Sequence, residues 1–219
     1  MSALDRPQGQ SQQLSTTDFG GLSIASDDRV LSPRRWTTMQ SYWAAELLRD
    51  SPPGRVLELC AGVGHIGLLC AALEPRDMVM VDANPYACAL ARRNATVNRL
   101  VASIDVRHGD LQDVIRADES FVGVIADPPW VPTAETGRFP RDPLIAIDGG
   151  VDGLAVAWSC LEVMARHLAR GGWGILQVGT HAQAERVAER CADEGLGLEV
   201  RETRAYQDRG VLVRLLVTG

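Results

Sequence analysis

The chain has 219 residues, 46% of them hydrophobic and 23% charged, with a formal net charge of −6. That length and balance fit one globular domain with an ordinary core and exclude a fibrous or disordered chain. The acidic balance also argues against a protein held mainly by nucleic-acid phosphates, which needs a broad basic surface.

Residues 1–25 are rich in Gln, Ser and Gly without an apolar period, and they read as a flexible tail before a single domain over 26–219. Residues 28–35 lead into a helix over 36–49, where Met39, Tyr42, Trp43 and Leu47 recur at helical spacing; Pro52-Pro53-Gly54 ends it. A strand over 55–60 runs into Ala61-Gly62-Val63-Gly64-His65-Ile66-Gly67 and an apolar helix to about residue 73. Residues 78–82 form a second strand, and Asn84 caps a helix with Pro85 at its first position, running to about Asn98. Third, fourth and fifth strands are expected over 103–107, 121–125 and 173–178. Between the last two lie a Gly/Pro-rich loop over 131–151 and a helix over 152–169. A helix over 182–192 precedes two runs, 196–203 and 210–217, that pair without a helix between them. The pattern predicts an α/β fold of the Rossmann-like kind. Its sheet is doubly wound, mostly parallel and seven-stranded, with a closing antiparallel hairpin.

Cys60, Cys70, Cys88, Cys160 and Cys191 are odd in number and mostly lie in apolar runs, so they read as buried free thiols of a reducing compartment. With no signal peptide and no membrane-length apolar run, a cytoplasmic location is expected. His65, His108, His167 and His181 show no ligand spacing, and Asp148 and Asp152 lack the companion oxygens of a calcium loop, so no metal is expected.

The stretch that carries chemistry is Asp127-Pro128-Pro129-Trp130. The prolines end the apolar run at once and leave Asp127 at the carboxyl edge of the sheet, where ligands bind in open α/β folds. Asp127 and the Pro128 carbonyl offer acceptors for the two N–H bonds of a planar NH2 group, and Trp130 offers a face for stacking. A plain strand-ending turn has the same composition, so this stretch alone does not decide.

Gly62-Val63-Gly64-His65-Ile66-Gly67 has the G-x-G-x-x-G spacing, with Asp82 about 20 residues on. Taken alone this suggests a dinucleotide. Glu58, four residues before Gly62, opposes a pyrophosphate and favours a cation. Glu58, the glycine turn, Asp82 for the ribose and Asp110 near the adenine amino group instead describe a pocket for S-adenosyl-L-methionine (SAM), which is cationic and has no phosphate.

Residues 55–130 resemble class I SAM-dependent methyltransferases, and the longer pattern resembles the HemK-type protein-glutamine N5-methyltransferases of the methyltransferase small domain group. The segment Arg29 to Arg34 with Thr37 is similar to the family's lead-in, and Asp127 to Thr133 is similar to its Asn-Pro-Pro-Tyr region. Ala146-Ile147-Asp148-Gly149-Gly150-Val151-Asp152-Gly153-Leu154 is nearly its next signature, echoed by Gly179 and Gln183. The resemblance implies SAM contacts from Glu58, Ala61, Gly62, Val63, Gly64, Asp82, Ala83, Asn84, Asp110, Leu111 and Asp127. It implies transfer chemistry at Asp127, Pro128, Pro129 and Trp130, with Arg34, Thr37, Arg138 and Arg141 over the substrate. The expected reaction is N-methylation of a protein glutamine amide, with a translation factor among the candidate substrates. The family's bacterial members carry an N-terminal helical domain, where this sequence reads as a short tail. Asp127 and Trp130 replace the family's Asn and Tyr. Because Asp-Pro-Pro-Trp also occurs in adenine-N6 methyltransferases, a nucleobase or small-molecule amine stays open as acceptor, nucleic acid being less favoured. No membrane partner is expected.

Overall fold

A computed structural model describes residues 14–207 and 209–218. The described chain opens on a hairpin, in which β1 (Ser15–Phe19) pairs antiparallel with β2 (Leu22–Ser26). Gly20 and Gly21 between them have φ of 62° and 91°, the left-handed conformation that a two-residue hairpin turn requires. Phe19 and Ile24 are fully buried. Buried Asn94 clamps the hairpin to the domain: its side chain accepts from the Ala25 amide at 2.9 Å and donates to the carbonyls of Ala25 and Val63 at 3.1 and 3.0 Å. The expected flexible tail is therefore corrected from Ser15 onward, because two apolar side chains and a turn of two glycines fold it back onto the core. The first 13 residues of that expected tail lie outside the described residues.

A 3-10 turn (Arg35–Thr37) runs into α1 (Thr38–Arg49), followed by β3 (Val56–Leu59), α2 (His65–Leu73), β4 (Met78–Asp82) and α3 (Pro85–Asn98). Then come β5 (Ile104–His108), β6 (Phe121–Ala126), a 3-10 segment (Thr133–Arg138) and the short α4 (Leu144–Ile147). The chain closes with α5 (Ala155–His167), β7 (Leu168–Val178), α6 (His181–Asp193), β8 (Leu198–Ala205) and β9 (Val211–Val217). The seven-stranded sheet has the order β5-β4-β3-β6-β7-β9-β8, with β9 antiparallel to both of its neighbours and the other pairs parallel. This is the expected doubly wound sheet with its closing hairpin. Asn84 caps α3 as predicted, its Oδ1 accepting from the Tyr86 amide at 3.0 Å. No described helix is long and apolar enough to cross a membrane.

Because side chains alternate along a strand, β3 feeds two cores. Val56 joins the layer that contains residues of α1, α2 and α3, whereas Leu57 and Leu59 join the layer that contains residues of α5 and α6. Glu58 shares the face of Val56 and is only 2% exposed. Its Oε1 accepts from the Gly67 amide at 3.0 Å, and a Cβ on Gly67 would lie 2.3 Å from Oε2. The missing side chain thus lets the carboxyl tie the first turn of α2 to β3. Its Oε2 has no hydrogen-bond partner, and burial pushes the group up to about 8, so it is uncharged at neutral pH.

Away from the carboxyl edge, buried Glu119 accepts from Arg107 at 2.6 and 2.9 Å and from Arg55 at 3.0 Å, and it pairs with Arg116 at 3.2 Å. The Arg107 guanidinium, above all, holds its carboxyl well below the usual carboxylate range.

Two outcomes are expected. Glu119→Gln removes one partner of a buried charge cluster and should cost about 3 kcal/mol in urea unfolding. With its native acidity raised, the wild type should lose that contribution as pH falls through the carboxylate range. Glu58→Gln keeps the acceptor for Gly67 and abolishes ionisation. An acid whose folded pKa lies above its unfolded 4.5 destabilises progressively as pH rises towards about 8. Wild type should therefore lose stability relative to Glu58→Gln across that window, by up to about 1.4 kcal/mol per pH unit. Parallel pH profiles of the two proteins would refute a neutral Glu58.

Candidate active site

Pro128 and Pro129 stop β6 at Ala126, so Asp127 stands at the carboxyl edge of the sheet between two cavities. The first, of about 300 Å³, is lined by Gly62, Asp82, Ala83, Asn84, Asp110, Leu111 and Asp127, all expected there, and by Pro129. Apolar walls come from Val30, Leu31, Val81, Ile145 and Val156. Asp82 accepts from the amides of Gly62 at 2.7 Å and Asn84 at 2.8 Å, which fixes its carboxylate against the glycine turn, while burial raises its pKa. Asp110 Oδ1 accepts from the Gln112 amide at 2.9 Å and so shapes the turn after β5. Among the described residues, carboxylates line the cavity but no lysine or arginine does. That donor set suits a cationic, hydroxyl-bearing ligand and repels a phosphate, so the residues fit SAM and oppose a dinucleotide.

Four residues expected at the cofactor do not line this cavity. Ala61, Val63 and Gly64 are buried beneath the turn, Gly64 at φ 79° where it enters α2, and Glu58 points into the layer below. They support the turn from beneath.

The second cavity, of about 390 Å³, is lined by Pro128, Trp130 and Val131 on one side and by Arg34, Trp36 and Thr37 on the other. Arg138, Phe139, Asp142, Ile147 and Arg209 complete it. Arg34, Thr37 and Arg138 thus share one cavity. Exposed Arg141 does not line the cavity. Arg34 reaches both oxygens of Asp142 at 2.7 and 2.6 Å, which joins the segment before α1 to the loop after β6. Buried Thr37 bonds back to the Arg34 carbonyl at 2.8 Å, and Arg138 is engaged by Glu135 at 2.7 Å.

Leu31, His65, Asp127 and Ala146 line both cavities and form the wall between them. Enclosure pushes Asp127 up to about 7. Desolvation pushes His65 down to about 4, so its imidazole is neutral, and its Nδ1 has no partner. The sequence reading did not single out His65 or Leu31. The position of His65, directly after Gly64, was the available signal.

The Pro-Pro corner is braced from behind. Gln183 Nε2 donates to the carbonyls of Trp130 at 3.1 Å and Asp152 at 3.0 Å, and its Oε1 accepts from the amides of Gly179 and Thr180 at 2.7 and 3.1 Å. A Cβ on Gly179 would lie 2.2 Å from the Trp130 ring, and one on Gly153 would lie 2.2 Å from the Trp130 carbonyl oxygen. Asp148 accepts from the Thr133 hydroxyl at 2.7 Å and the Gly150 amide at 2.9 Å. Asp152 caps the turn before α5, which starts at Ala155, three residues later than expected.

The methyltransferase small domain family matches residues 39–145, a span that runs from α1 into α4 and includes most of the lining of the first cavity and half of that of the second. A release factor glutamine methyltransferase of Deinococcus radiodurans is 31% identical over 202 residues, which make up 90% of this chain and 71% of that protein. A ribosomal protein uL3 glutamine methyltransferase of Bradyrhizobium diazoefficiens is 31% identical over 172 residues, 73% of this chain and 54% of that longer protein. Among solved structures, a methyltransferase from Pyrococcus furiosus superposes with a TM-score of 0.66 at 18% identity, covering 91% of this chain and 90% of its own. With these matches and a carboxylate-lined cavity that shares a wall with a second one, the chain belongs to the methyltransferase small domain family, in its HemK-type branch of class I methyltransferases.

Proposed function

We propose that the chain is a SAM-dependent N-methyltransferase whose acceptor is the side-chain amide of a glutamine in a protein, a translation factor or ribosomal protein being the class its relatives point to. The observation that carries this reading is the wall shared by the two cavities, with Asp127 in it. A donor in the carboxylate-lined cavity and an NH2 group in the second would meet at that residue.

When bound, SAM supplies an electrophilic methyl group. Asp82, Asp110 and Gly62 would hold it, and the absence of basic side chains from its cavity leaves its positive charge uncontested. An amide nitrogen is a poor nucleophile because its lone pair is delocalised, so positioning carries much of the task. Well-oriented partners can lower such a barrier by roughly 7–11 kcal/mol. Asp127 and the Pro128 carbonyl each accept one N–H of the acceptor, and Trp130 flanks its plane. As positive charge develops on the nitrogen, the fixed acceptors stabilise it.

Asp127 acts best when ionised, because the protonated group keeps only its carbonyl oxygen as an acceptor and loses the charge that stabilises a cationic nitrogen. A full negative charge, where relatives of this family carry Asn, also suits a more basic nitrogen. That favours a nucleobase or small-molecule amine as the second reading.

Asp127→Ala should retain SAM affinity in calorimetry within about threefold and lose at least about 100-fold in transfer. Asp82→Ala should instead weaken SAM binding by about tenfold or more, through loss of a buried acceptor and of the turn it holds. For the wild type, kcat/KM should rise with pH through about 7, since burial raises the pKa of the group whose charge assists transfer. Asp127→Asn should flatten that rise. Mass spectrometry of lysate treated with isotopically labelled SAM identifies the acceptor: label in a glutamine side chain supports the leading reading, and label confined to RNA or small amines sinks it.

A further inference from the structure

The second cavity continues past its own walls. Trp36 and Arg209, which line it, also line an open groove of about 370 Å³ together with Arg35, Met39 and Tyr206. One side of this groove is the 3-10 turn and the start of α1, and the other is the turn between β8 and β9. A buried amide pair ties the two sides. Gln40 of α1 donates to Gln177 Oε1 at 3.3 Å, and Gln177 donates to the carbonyls of Val178 at 2.9 Å and Arg209 at 3.5 Å. Gly210 makes room for the pair, since a Cβ there would lie 2.1 Å from Gln177 Nε2. The groove is therefore a braced part of the fold. Its lining includes none of Leu31, His65, Asp127 and Ala146, the residues of the wall where transfer would occur.

The charge of the groove is one-sided. Among the described residues two arginines and no acid line it, in a chain whose net charge is −6. Arg35 is exposed, and its guanidinium makes no hydrogen bond or ion pair with a described residue. The neighbouring cations differ, since Arg34 is bound to Asp142, Arg138 to Glu135, and Arg209 is also engaged. Among the described residues that line the cavity and the groove, Arg35 is thus the arginine left for a ligand.

We propose that this groove is a second subsite for the acceptor, taking an acidic side chain that lies close in sequence to the methylated glutamine of the substrate protein. The proposal rests on the transferase reading above and deepens it. The Arg35 fork meets a carboxylate with two parallel N–H bonds, which a neutral side chain cannot match. Trp36 and Tyr206 supply flat apolar contact for the peptide between them. An extended peptide advances about 3.3 Å per residue, so crossing the indole that cavity and groove share sets the acid about two or three positions from the glutamine. Because the groove stands apart from the shared wall, its contacts are the same before and during transfer and act on binding alone. A strand of RNA is the competing occupant, since arginines and aromatic faces also hold nucleotides. An acidic chain with one unengaged arginine here favours a carboxylate over a run of phosphates, which needs a broad basic surface.

The test screens peptides with a fixed central glutamine and randomised flanks against the full chain loaded with S-adenosylhomocysteine, and against its Arg35→Gln and Arg35→Glu variants. Asp and Glu should be enriched within three positions of the glutamine, equalised with Asn and Gln in Arg35→Gln, and replaced by Lys and Arg in Arg35→Glu. SAM affinity by calorimetry reports an intact donor cavity in each variant. With labelled SAM, the wild type should show a KM about fivefold lower for an enriched acidic peptide than for its Asn counterpart, at equal kcat. High salt should narrow that gap, and Arg35→Gln should close it. No acidic enrichment, or one that persists unchanged in Arg35→Gln, overturns the proposal. So does tighter binding of oligouridylate than of the acidic peptide, weakened by the same substitution. Enrichment that ignores the central glutamine, with no label transferred to it, sinks the functional reading instead, while its dependence on Arg35 still decides what the groove holds.

Discussion

One side-chain amide holds the working corner of this protein together. Gln183 donates to the loop after β6 at the Trp130 carbonyl and to the glycine-rich loop at the Asp152 carbonyl, and it accepts from the two amides at the start of the loop after β7. Every hydrogen-bonding group of the amide is used, at 8% exposure, so its contribution is little weakened by water. Gly153 and Gly179 are explained by the same contact, since a Cβ at either would strike Trp130. The distant signatures Asp148-Gly149-Gly150, Gly153, Gly179 and Gln183 are thus one device for fixing where Asp127-Pro128-Pro129-Trp130 turns.

Electrostatics divides the site into layers. Glu58, deepest and fully desolvated, is neutral at physiological pH and serves as a hydrogen-bond acceptor for α2. Asp82, nearer the surface, receives two backbone amides against its own desolvation. Asp82 has two backbone donors where Glu58 beneath it has one.

Much of this was legible in the chain. The parallel strands announced themselves as short apolar runs, Asn84-Pro85 marked a helix start, and the Pro-Pro pair placed Asp127 at a sheet edge. Glu58 was legible as important but not in its role. Alternation along β3 sets it on the face of Val56, turned into a helix layer, whereas proximity in sequence to the glycine turn suggested the ligand. Ser15 to Ser26 reads as polar and glycine-rich, so its hairpin was hidden. Its only signals were Gly20-Gly21 and two apolar side chains, and the partner that makes it stable, Asn94, is some 70 residues away. Gln40 and Gln177 were invisible for the same reason. A buried pair separated by 137 positions leaves no local pattern.

The second cavity is the part least determined by local sequence, and its construction says why. Its walls come from residues 31–37, from His65, from 127–147 and from Arg209, stretches with no periodic relation. The floor is rigid. Val131 exchanges backbone hydrogen bonds with Ile147 and Gly149 at 3.0 and 2.9 Å, Thr133 binds Asp148, and Gln183 braces Trp130. The roof is joined across by Arg34 and Asp142, a largely exposed ion pair of the kind that contributes at most about 1 kcal/mol. A firm floor that aligns the nitrogen and a roof tied by one weak pair suit an acceptor that enters as part of a larger molecule. The proposed donor, which is the same in every turnover, would occupy the cavity whose walls are backbone turns and carboxylates held by backbone amides.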